Sequence, residues 1–289
     1  MSKISSSNIS AEDFYNKLYW DHRIYDIRCP NNYIKSHICR AHNMHPSTNI
    51  SIDSIINIEQ KIDDDYGKAE HPSVVLIYKS ENNDELESNI LTMLCKYLQL
   101  NSKSLKQIYI LINGFENFQL HYPFLCSDNI YYDESFQLVW PSCITSDLYL
   151  GSSMCRNERI LTLLNITHVI SFSDYSVRKI EIDNIKTIHW QISDSLSSNL
   201  LEIFPLAVQW ISKSINDEHG TVLVHCDQGV SRSASIIIAY LLSSNGNFHT
   251  VNDAFNYVKS KRDVIKPNLS FLRQLEEYLI FIQMKNSIE

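Results

Sequence analysis

The chain has 289 residues, enough for two ordinary domains with a core in each. Its net charge of -8 argues against general nucleic-acid binding, which needs a basic face, so any phosphate site must be local. Seven cysteines without paired spacing are typical of reduced thiols rather than of a disulfide framework or a zinc site. We expect no secretory signal and no membrane span, and therefore a cytoplasmic protein with the nucleus as a second compartment.

The first half of the chain alternates apolar strands with amphipathic helices, which predicts a small α/β domain with a parallel sheet. The predicted elements are loose residues 1–10, a helix from Ser10 to Leu18, a strand over Arg23–Ile27, a turn at Cys29–Asn32, a short helix from Tyr33 to His37, an unassigned helix or loop over Ile50–Ile58, a charged surface segment over Lys61–His71, a strand over Ser73–Tyr78, a helix from Asp84 to Leu98 and a strand over Gln107–Ile112.

Short segments of this half, taken in order, resemble a rhodanese-like domain. They are Tyr25–Arg28, Tyr33 with Ser36–Ile38, Ala41 with Asn43–Met44, and Gly114–Phe118; Tyr122–Cys126 then resembles the end of the version that precedes MAP kinase phosphatase catalytic domains. A sulfurtransferase of this fold needs a nucleophilic cysteine after the strand that ends at Tyr78, and Lys79–Asn83 contains none. The resemblance is therefore to a non-catalytic, binding version of the domain.

In phosphatases of that kind, the rhodanese-like domain carries a cluster of arginines that docks a MAP kinase. The resemblance therefore implies such a cluster here. Arg23, Arg28 and Arg40 are single, separated charges in this sequence. A structural or differently recognising module is therefore an equal alternative. Residues 128–137 are polar and acidic, and we interpret residues 128–140 as a linker between residues 1–127 and a second domain over residues 141–289.

The second half again alternates strands and helices. The predicted elements are a strand over Leu148–Gly151, a helix over Asn157–Leu164, strands over Thr167–Ser171 and Thr187–Ile192, a helix over Pro205–Ile215, a strand over Thr221–Val224, a helix over Ser235–Leu242, a helix over Val251–Ser260, and a last helix from Leu269 to Met284 with Asn268 as its N-cap. Lys259, Lys261 and Arg262 suit the C-terminal dipole of their helix or a nuclear signal.

Residues 221–235, with the sequence Thr-Val-Leu-Val-His-Cys-Asp-Gln-Gly-Val-Ser-Arg-Ser-Ala-Ser, carry the strongest chemical signal. A strand, a short glycine-bearing loop and a helix N-terminus bind anions, because unpaired N–H groups and the helix dipole favour negative charge. Gly229 allows close backbone approach, and the guanidinium of Arg232 can grip two oxygens of one phosphate.

Cys226 makes this anion site a predicted active site. The N–H groups and Arg232 would stabilise a thiolate, which is placed for in-line attack on phosphorus to give a cysteinyl-phosphate. Ser233 can donate a hydrogen bond to the sulfur as it leaves, and His225 can order the loop through its ring nitrogens. A lone Cys-x5-Arg pair means little, but here the flanking His, Gly and Ser, the strand and the helix agree.

These residues resemble the His-Cys-x-x-Gly-x-x-Arg-Ser signature of the cysteine-dependent protein phosphatases. Tyr149–Gly151, Ile166–Ile170, Pro267–Asn268, Phe271 and Gln274–Leu275 extend the resemblance to the dual-specificity phosphatases, with a central, mainly parallel sheet flanked by helices. The resemblance implies a phosphoprotein substrate such as a MAP kinase, and no metal or cofactor. The expected phosphate-binding residues are His225, Asp227, Gln228, Gly229, Val230, Ser231 and Ser233.

Asp194 is the predicted general acid. The dual-specificity phosphatases, which this half resembles, have such an aspartate about thirty residues before the nucleophile, on a loop after a strand. Asp194 precedes Cys226 by 32 positions. The leaving alkoxide or phenoxide needs a proton, which a carboxylic acid supplies before it activates the hydrolytic water as a carboxylate. Alternatively, Asp194 only caps the next helix. Asp174 and Asp183 lie too far upstream for the role.

Two other functions compete with a protein phosphatase. The domain pair also resembles the STYX-like pseudophosphatases, which bind phosphoproteins and lack the nucleophile, whereas Cys226 is present here. Gln228 stands where many relatives have alanine, and its amide either crowds the loop or faces solvent. A phosphatase for phosphoinositides or RNA 5′-phosphates would place Lys or Arg inside the loop, and this loop has neither.

Overall fold

A computed structural model describes residues 5–18, 22–46, 51–66, 74–81, 84–101, 105–128, 138–175, 184–243 and 247–286. The chain divides into two compact units, Met1–Gln137 and Leu138–Glu289. Most of the predicted linker, residues 129–137, lies outside the described residues. Within the described part of the chain, no helix is long and apolar enough to cross a membrane.

The first unit is a five-stranded parallel sheet with helices around it, as predicted, in the order β1-β6-β5-β2-β4. Its elements are β1 (Ser5–Ile9), α1 (Ala11–Lys17), β2 (Arg23–Asp26), α2 (Pro30–Lys35), β3 (His37–Ile38), β4 (Ala41–Asn43), α3 (Ile52–Tyr66), β5 (Val74–Tyr78), α4 (Glu85–Asn101), β6 (Gln107–Leu111), α5 (Gly114–His121) and β7 (Cys126–Ser127).

Two local predictions in this unit are wrong. Residues 5–9 are not loose but form an edge strand paired with β6, because the ladder uses backbone groups and the exposed side chains can stay polar. Pro30 opens α2 rather than a turn, since the first helical turn tolerates proline. The segment left open between helix and loop is helical from residue 52, and α3 continues through residue 66 of the charged segment; residues 67–71 lie outside the described residues.

The second unit is a five-stranded sheet in the order β11-β10-β12-β9-β8, parallel except for β8 at one edge. Its elements are β8 (Ser142–Thr145), β9 (Leu148–Ser152), α6 (Glu158–Leu163), β10 (Ile166–Ser173), β11 (Lys186–Gln191), α7 (Phe204–Ser212), β12 (Thr221–Cys226), α8 (Arg232–Ser243), α9 (Val251–Lys261) and α10 (Leu269–Asn286). The predicted α/β class with a central, mainly parallel sheet is therefore confirmed.

The core of the second unit fixes the position of β12. Val222, Val224 and Cys226 alternate along the strand and share a core cluster with α8, which is buried from Arg232 to Leu242. A helix that is apolar on every side belongs at the centre of a domain. Here α8 packs against α7, α9 and α10. The strand end and helix start that flank the loop at residues 227–231 are thus held by the largest apolar cluster of the unit.

We predict that Phe172→Ala destabilises the second unit by about 3–5 kcal/mol, because it leaves a cavity in the core. Phe172 is fully buried and stacks on Trp190 with ring centroids 5.4 Å apart. Chemical denaturation followed by tryptophan fluorescence measures the change. The control is Phe281→Ala, whose ring is 57% exposed; equal losses in the two variants would contradict the core assignment.

Candidate active site

The loop at residues 227–231 joins the carboxyl end of the central strand to the first turn of α8. At its start, Cys226 is 2% exposed. Its Sγ accepts hydrogen bonds from the Gly229 N–H at 3.2 Å and from the Ser233 hydroxyl at 3.1 Å. Both donors stabilise a negatively charged sulfur more than a neutral one. The contact predicted for Ser233 is therefore present in the structure.

Gly229 cannot be replaced by another residue without strain. Its φ is +68°, in the left-handed region, and an added Cβ would lie 2.5 Å from the carbonyl carbon of Gly151 in β9. A side chain would meet backbone, which cannot move aside cheaply. The turn that points the Gly229 N–H at the sulfur therefore depends on this glycine.

Arg262 supports the loop from behind. Its Nε donates to the Gly229 carbonyl at 2.8 Å, and its terminal nitrogens donate to the Gln228 carbonyl at 3.3 Å and the Ser142 hydroxyl at 3.4 Å. The side chain is 1% exposed. Arg262 is the C-cap of α9, at the helix end where the sequence places it, and its contacts with the loop are distant in sequence.

Arg232 is held by three oxygens. Its two terminal nitrogens lie 2.6 Å from Asp227 Oδ2 and 2.7 Å from Asp174 Oδ1, and one of them also donates to the Ile192 carbonyl at 2.8 Å. Burial lowers the pKa of the guanidinium, but the hydrogen bond that it donates to Asp227 and the nearby negative charges more than offset this effect, so the pKa is raised. Arg232 is a fixed cation at the site.

Asp194 contacts the loop at residues 227–231 rather than capping a helix. Its Oδ1 accepts hydrogen bonds from the Ser231 hydroxyl and from the Asn268 side-chain amide, both at 2.8 Å. Asn268 also caps α10, as predicted, by accepting from the Phe271 N–H at 3.0 Å. Asn268 and Asp194 are 74 positions apart, so no local pattern in the sequence indicates their contact.

His225 is buried behind the loop and stays neutral. Burial lowers its pKa to about 4, although a backbone contact with Cys226 opposes the shift. One ring nitrogen lies 2.7 Å from the Ser171 hydroxyl and the other 3.3 Å from the Cys226 carbonyl oxygen. Ser171 and His225 are partners in the β10–β12 ladder, so the sheet itself brings the two side chains together.

The backbone carbonyls of the loop make further contacts. Gln228 is exposed, so its amide faces solvent and does not crowd the loop. The Val230 carbonyl accepts from the Lys266 N–H at 2.9 Å, and the Asp227 carbonyl accepts from the Ser153 N–H at 3.2 Å. Over the described ranges, no group of His, Cys, Asp and Glu side chains has a geometry that would hold a metal ion.

In the first unit, the loop after β5 is closed by the protein's own carboxylates. Ser80 donates its N–H and its hydroxyl to Glu87 at 2.8 and 2.7 Å, and the Glu81 N–H donates to Glu116 at 2.8 Å. Gly114, with φ +71°, lets α5 approach this loop, because an added Cβ would lie 2.3 Å from the Glu81 nitrogen. These backbone donors are already occupied by internal anions.

Two of the three arginines considered for kinase docking form ion pairs within this unit. Arg28 forms a buried ion pair with Asp26, at 2.6 Å, and lies 3.7 Å from the ring centroid of Phe115. Arg23 pairs with Glu59 at 2.8 Å. Two of the three predicted cations are therefore structural, since removing a buried partner would leave an uncompensated charge.

Two family models match the chain. The dual specificity phosphatase catalytic domain matches residues 148–280, and the rhodanese-like domain matches residues 10–121. The loop with its cysteine and the central sheet thus define a chain of the cysteine-based phosphatase class.

Curated relatives carry the same names. A "Probable rhodanese domain-containing dual specificity protein phosphatase" from Dictyostelium discoideum is 31% identical over 61% of this chain, which spans 38% of that relative. Dual specificity protein phosphatase 1 from Arabidopsis thaliana is 37% identical, with 47% of this chain and 68% of the relative covered. The mouse dual specificity protein phosphatase 14 is 36% identical, with 50% and 72% covered.

The chain belongs to the dual-specificity phosphatase family, and its first unit is a rhodanese-like domain. The family and fold predicted from the sequence are confirmed. Among solved structures, the human tyrosine phosphatase-like serine/threonine/tyrosine-interacting protein is 29% identical, with a TM-score of 0.46 over 50% of this chain and 97% of that one.

We predict that the second unit loses stability as the pH falls below about 6.5. The His225 pKa is about 4 when folded and 6.5 at its ordinary value, so the unfolded state binds more protons between these values. The loss is roughly 1.4 kcal/mol per pH unit, or about 3 kcal/mol over the window. His225→Asn should remove it and His249→Asn, an exposed control, should not.

Denaturation followed by tryptophan fluorescence at pH 4.5 to 7.5 checks this dependence. Three of the four tryptophans, Trp140, Trp190 and Trp210, lie in the second unit, so the signal reports mainly on that unit. Equal pH slopes for the wild type and the His225 variant would contradict a neutral buried imidazole.

Proposed function

We propose that the second unit hydrolyses phosphomonoesters of proteins through a cysteinyl-phosphate intermediate. In the first step, the Cys226 thiolate attacks phosphorus, an S–P bond forms and the P–O bond of the substrate breaks. Asp194 gives its proton to the leaving oxygen. Arg232 and the backbone amides of residues 227–232 stabilise the equatorial oxygens, where charge is highest in the transition state.

In the second step, water attacks the phosphorus and the S–P bond breaks. Asp194, now a carboxylate, takes a proton from that water, and the hydroxyl of Ser233 stabilises the departing thiolate. The observation that carries the proposal is that two donors converge on one sulfur, at 3.2 and 3.1 Å, while Asp194 is bonded to Ser231 of the same loop.

Among phosphoproteins, the family resemblance implies a MAP kinase as the substrate. The described contacts do not favour docking through Arg23 and Arg28, because each is already in an ion pair. We therefore propose a phosphoprotein substrate without recruitment by these arginines. The first unit acts as a binding module, since its loop at residues 79–83 has no thiol and the Ser80 donors are satisfied by Glu87.

We predict that purified protein hydrolyses a small aryl phosphate and that Cys226→Ser lowers kcat by at least about a thousandfold, because the serine hydroxyl is a far weaker nucleophile at neutral pH. Release of the phenol measures turnover. Cys143→Ser, which changes another buried thiol of the unit, should keep most of the activity. A protein that binds phosphopeptides without any turnover would favour the scaffold function.

We predict that Asp194→Asn lowers kcat for an alkyl phosphoester by about a hundredfold to ten-thousandfold, because its poor leaving group needs the proton. The loss should be much smaller for an aryl phosphate that carries a good leaving group. Asparagine can still accept hydrogen bonds from Ser231 and Asn268, so the loop should stay in place. Equal losses for both esters would assign Asp194 a structural role.

A further inference from the structure

The ion pair between Asp227 and Arg232 occupies the part of the guanidinium that a phosphate needs. A bidentate grip uses two N–H groups on one edge of the planar fork. The edge formed by the two terminal nitrogens is filled by Asp174 and Asp227, and its Asp174 side also bonds the Ile192 carbonyl. Two oxygens would have to leave before a phosphate could use that edge.

The other edge pairs Nε with the terminal nitrogen that donates to Asp227, so Asp227 holds the nitrogen that both edges share. The Arg232 side chain is only 6% exposed, and its Nε is buried without a hydrogen-bond partner among the described residues. The terminal nitrogen beside it donates a hydrogen bond to Asp227 at 2.6 Å. Movement of one carboxylate therefore frees a complete bidentate edge, which includes a buried donor that is still unsatisfied.

Asp227 can move without disturbing the loop. Its carbonyl oxygen accepts from the N–H and the hydroxyl of Ser153, both at 3.2 Å, so the backbone is anchored separately from the side chain. The carboxylate is 30% exposed and can rotate toward solvent. Asp174, the other carboxylate that pairs with Arg232, is 55% exposed.

We propose that the Asp227 carboxylate is a latch on the phosphate-binding edge of Arg232, released by a cationic group that lies beside the phosphate of the substrate. The proposal rests on the proposed phosphatase function. A lysine or arginine next to the phosphorylated residue replaces Arg232 as the partner of Asp227, so the phosphate gains the freed edge and the cation gains a carboxylate. The substrate class is therefore phosphoprotein sites flanked by basic residues.

The latch is tested first by binding inorganic phosphate to purified full-length protein, measured by titration calorimetry. Asp227→Ala should tighten phosphate binding by about fivefold, because a partly exposed competing ion pair is removed. Asp174→Ala is the matched control, since it removes the same charge from the same guanidinium but leaves the Nε edge blocked. An equal gain in both variants, or no gain in Asp227→Ala, would overturn the latch.

The substrate class is tested with two phosphotyrosine peptides, one flanked by lysines and the other by glutamates. Their binding is measured in a Cys226→Ser background, where turnover is not required. We expect the basic peptide to bind about tenfold more tightly, and Asp227→Ala to reduce that ratio to about threefold or less while Asp174→Ala keeps it larger. A ratio that is the same with and without Asp227 would contradict the proposal.

The two proposals fail in different ways. A wild-type protein that shows both binding differences but no hydrolysis of either peptide would refute the phosphatase function and leave the latch in place. Hydrolysis that is abolished by Cys226→Ser, with phosphate and peptide binding insensitive to Asp227, would support the function and refute the latch.

Discussion

The close approach of two glycine backbones is the constraint on which the site depends. Gly229 can turn with φ +68° because it has no side chain: an added Cβ would lie 2.5 Å from the carbonyl carbon of Gly151 in the neighbouring strand. That turn points an N–H at the Cys226 sulfur 3.2 Å away. The pairing of β9 with β12, which places Ser152 beside Cys226, is therefore part of the active-site geometry as well as of the sheet.

A buried cation holds the outer side of the same turn. Arg262 donates to the carbonyl oxygens of Gln228 and Gly229, and the N–H of the Gln228–Gly229 peptide group points at the sulfur. Arg232 is anchored from the other direction by Asp174 and the Ile192 carbonyl. These contacts come from different elements of the unit. Together they hold a polar loop in one conformation.

The parts of this site that could be predicted are those that are local in sequence. The strand, glycine turn, cysteine, arginine and serine lie within fifteen residues, and each carries its own chemical reason. The Arg262 and Asp174 contacts span 33 and 58 positions, so no periodicity or spacing signals them. In the first unit, β1 could not be predicted for a similar reason. Its polar residues show no alternation with apolar ones, and the strand is recognised only by its pairing with β6, which is distant in sequence.

The charges explain how a protein with a net charge of -8 can hold a phosphate. A net negative charge gives no overall attraction for an anion, so affinity must come from donors at contact distance, which are the backbone amides and Arg232. Nearby carboxylates then matter as much as the cations do. In the proposed mechanism Asp194 lies close in order to transfer a proton, whereas Asp227 and Asp174 offset the positive charge of Arg232. A site with this balance binds a free dianion weakly and gains most from a ligand that brings its own positive charge.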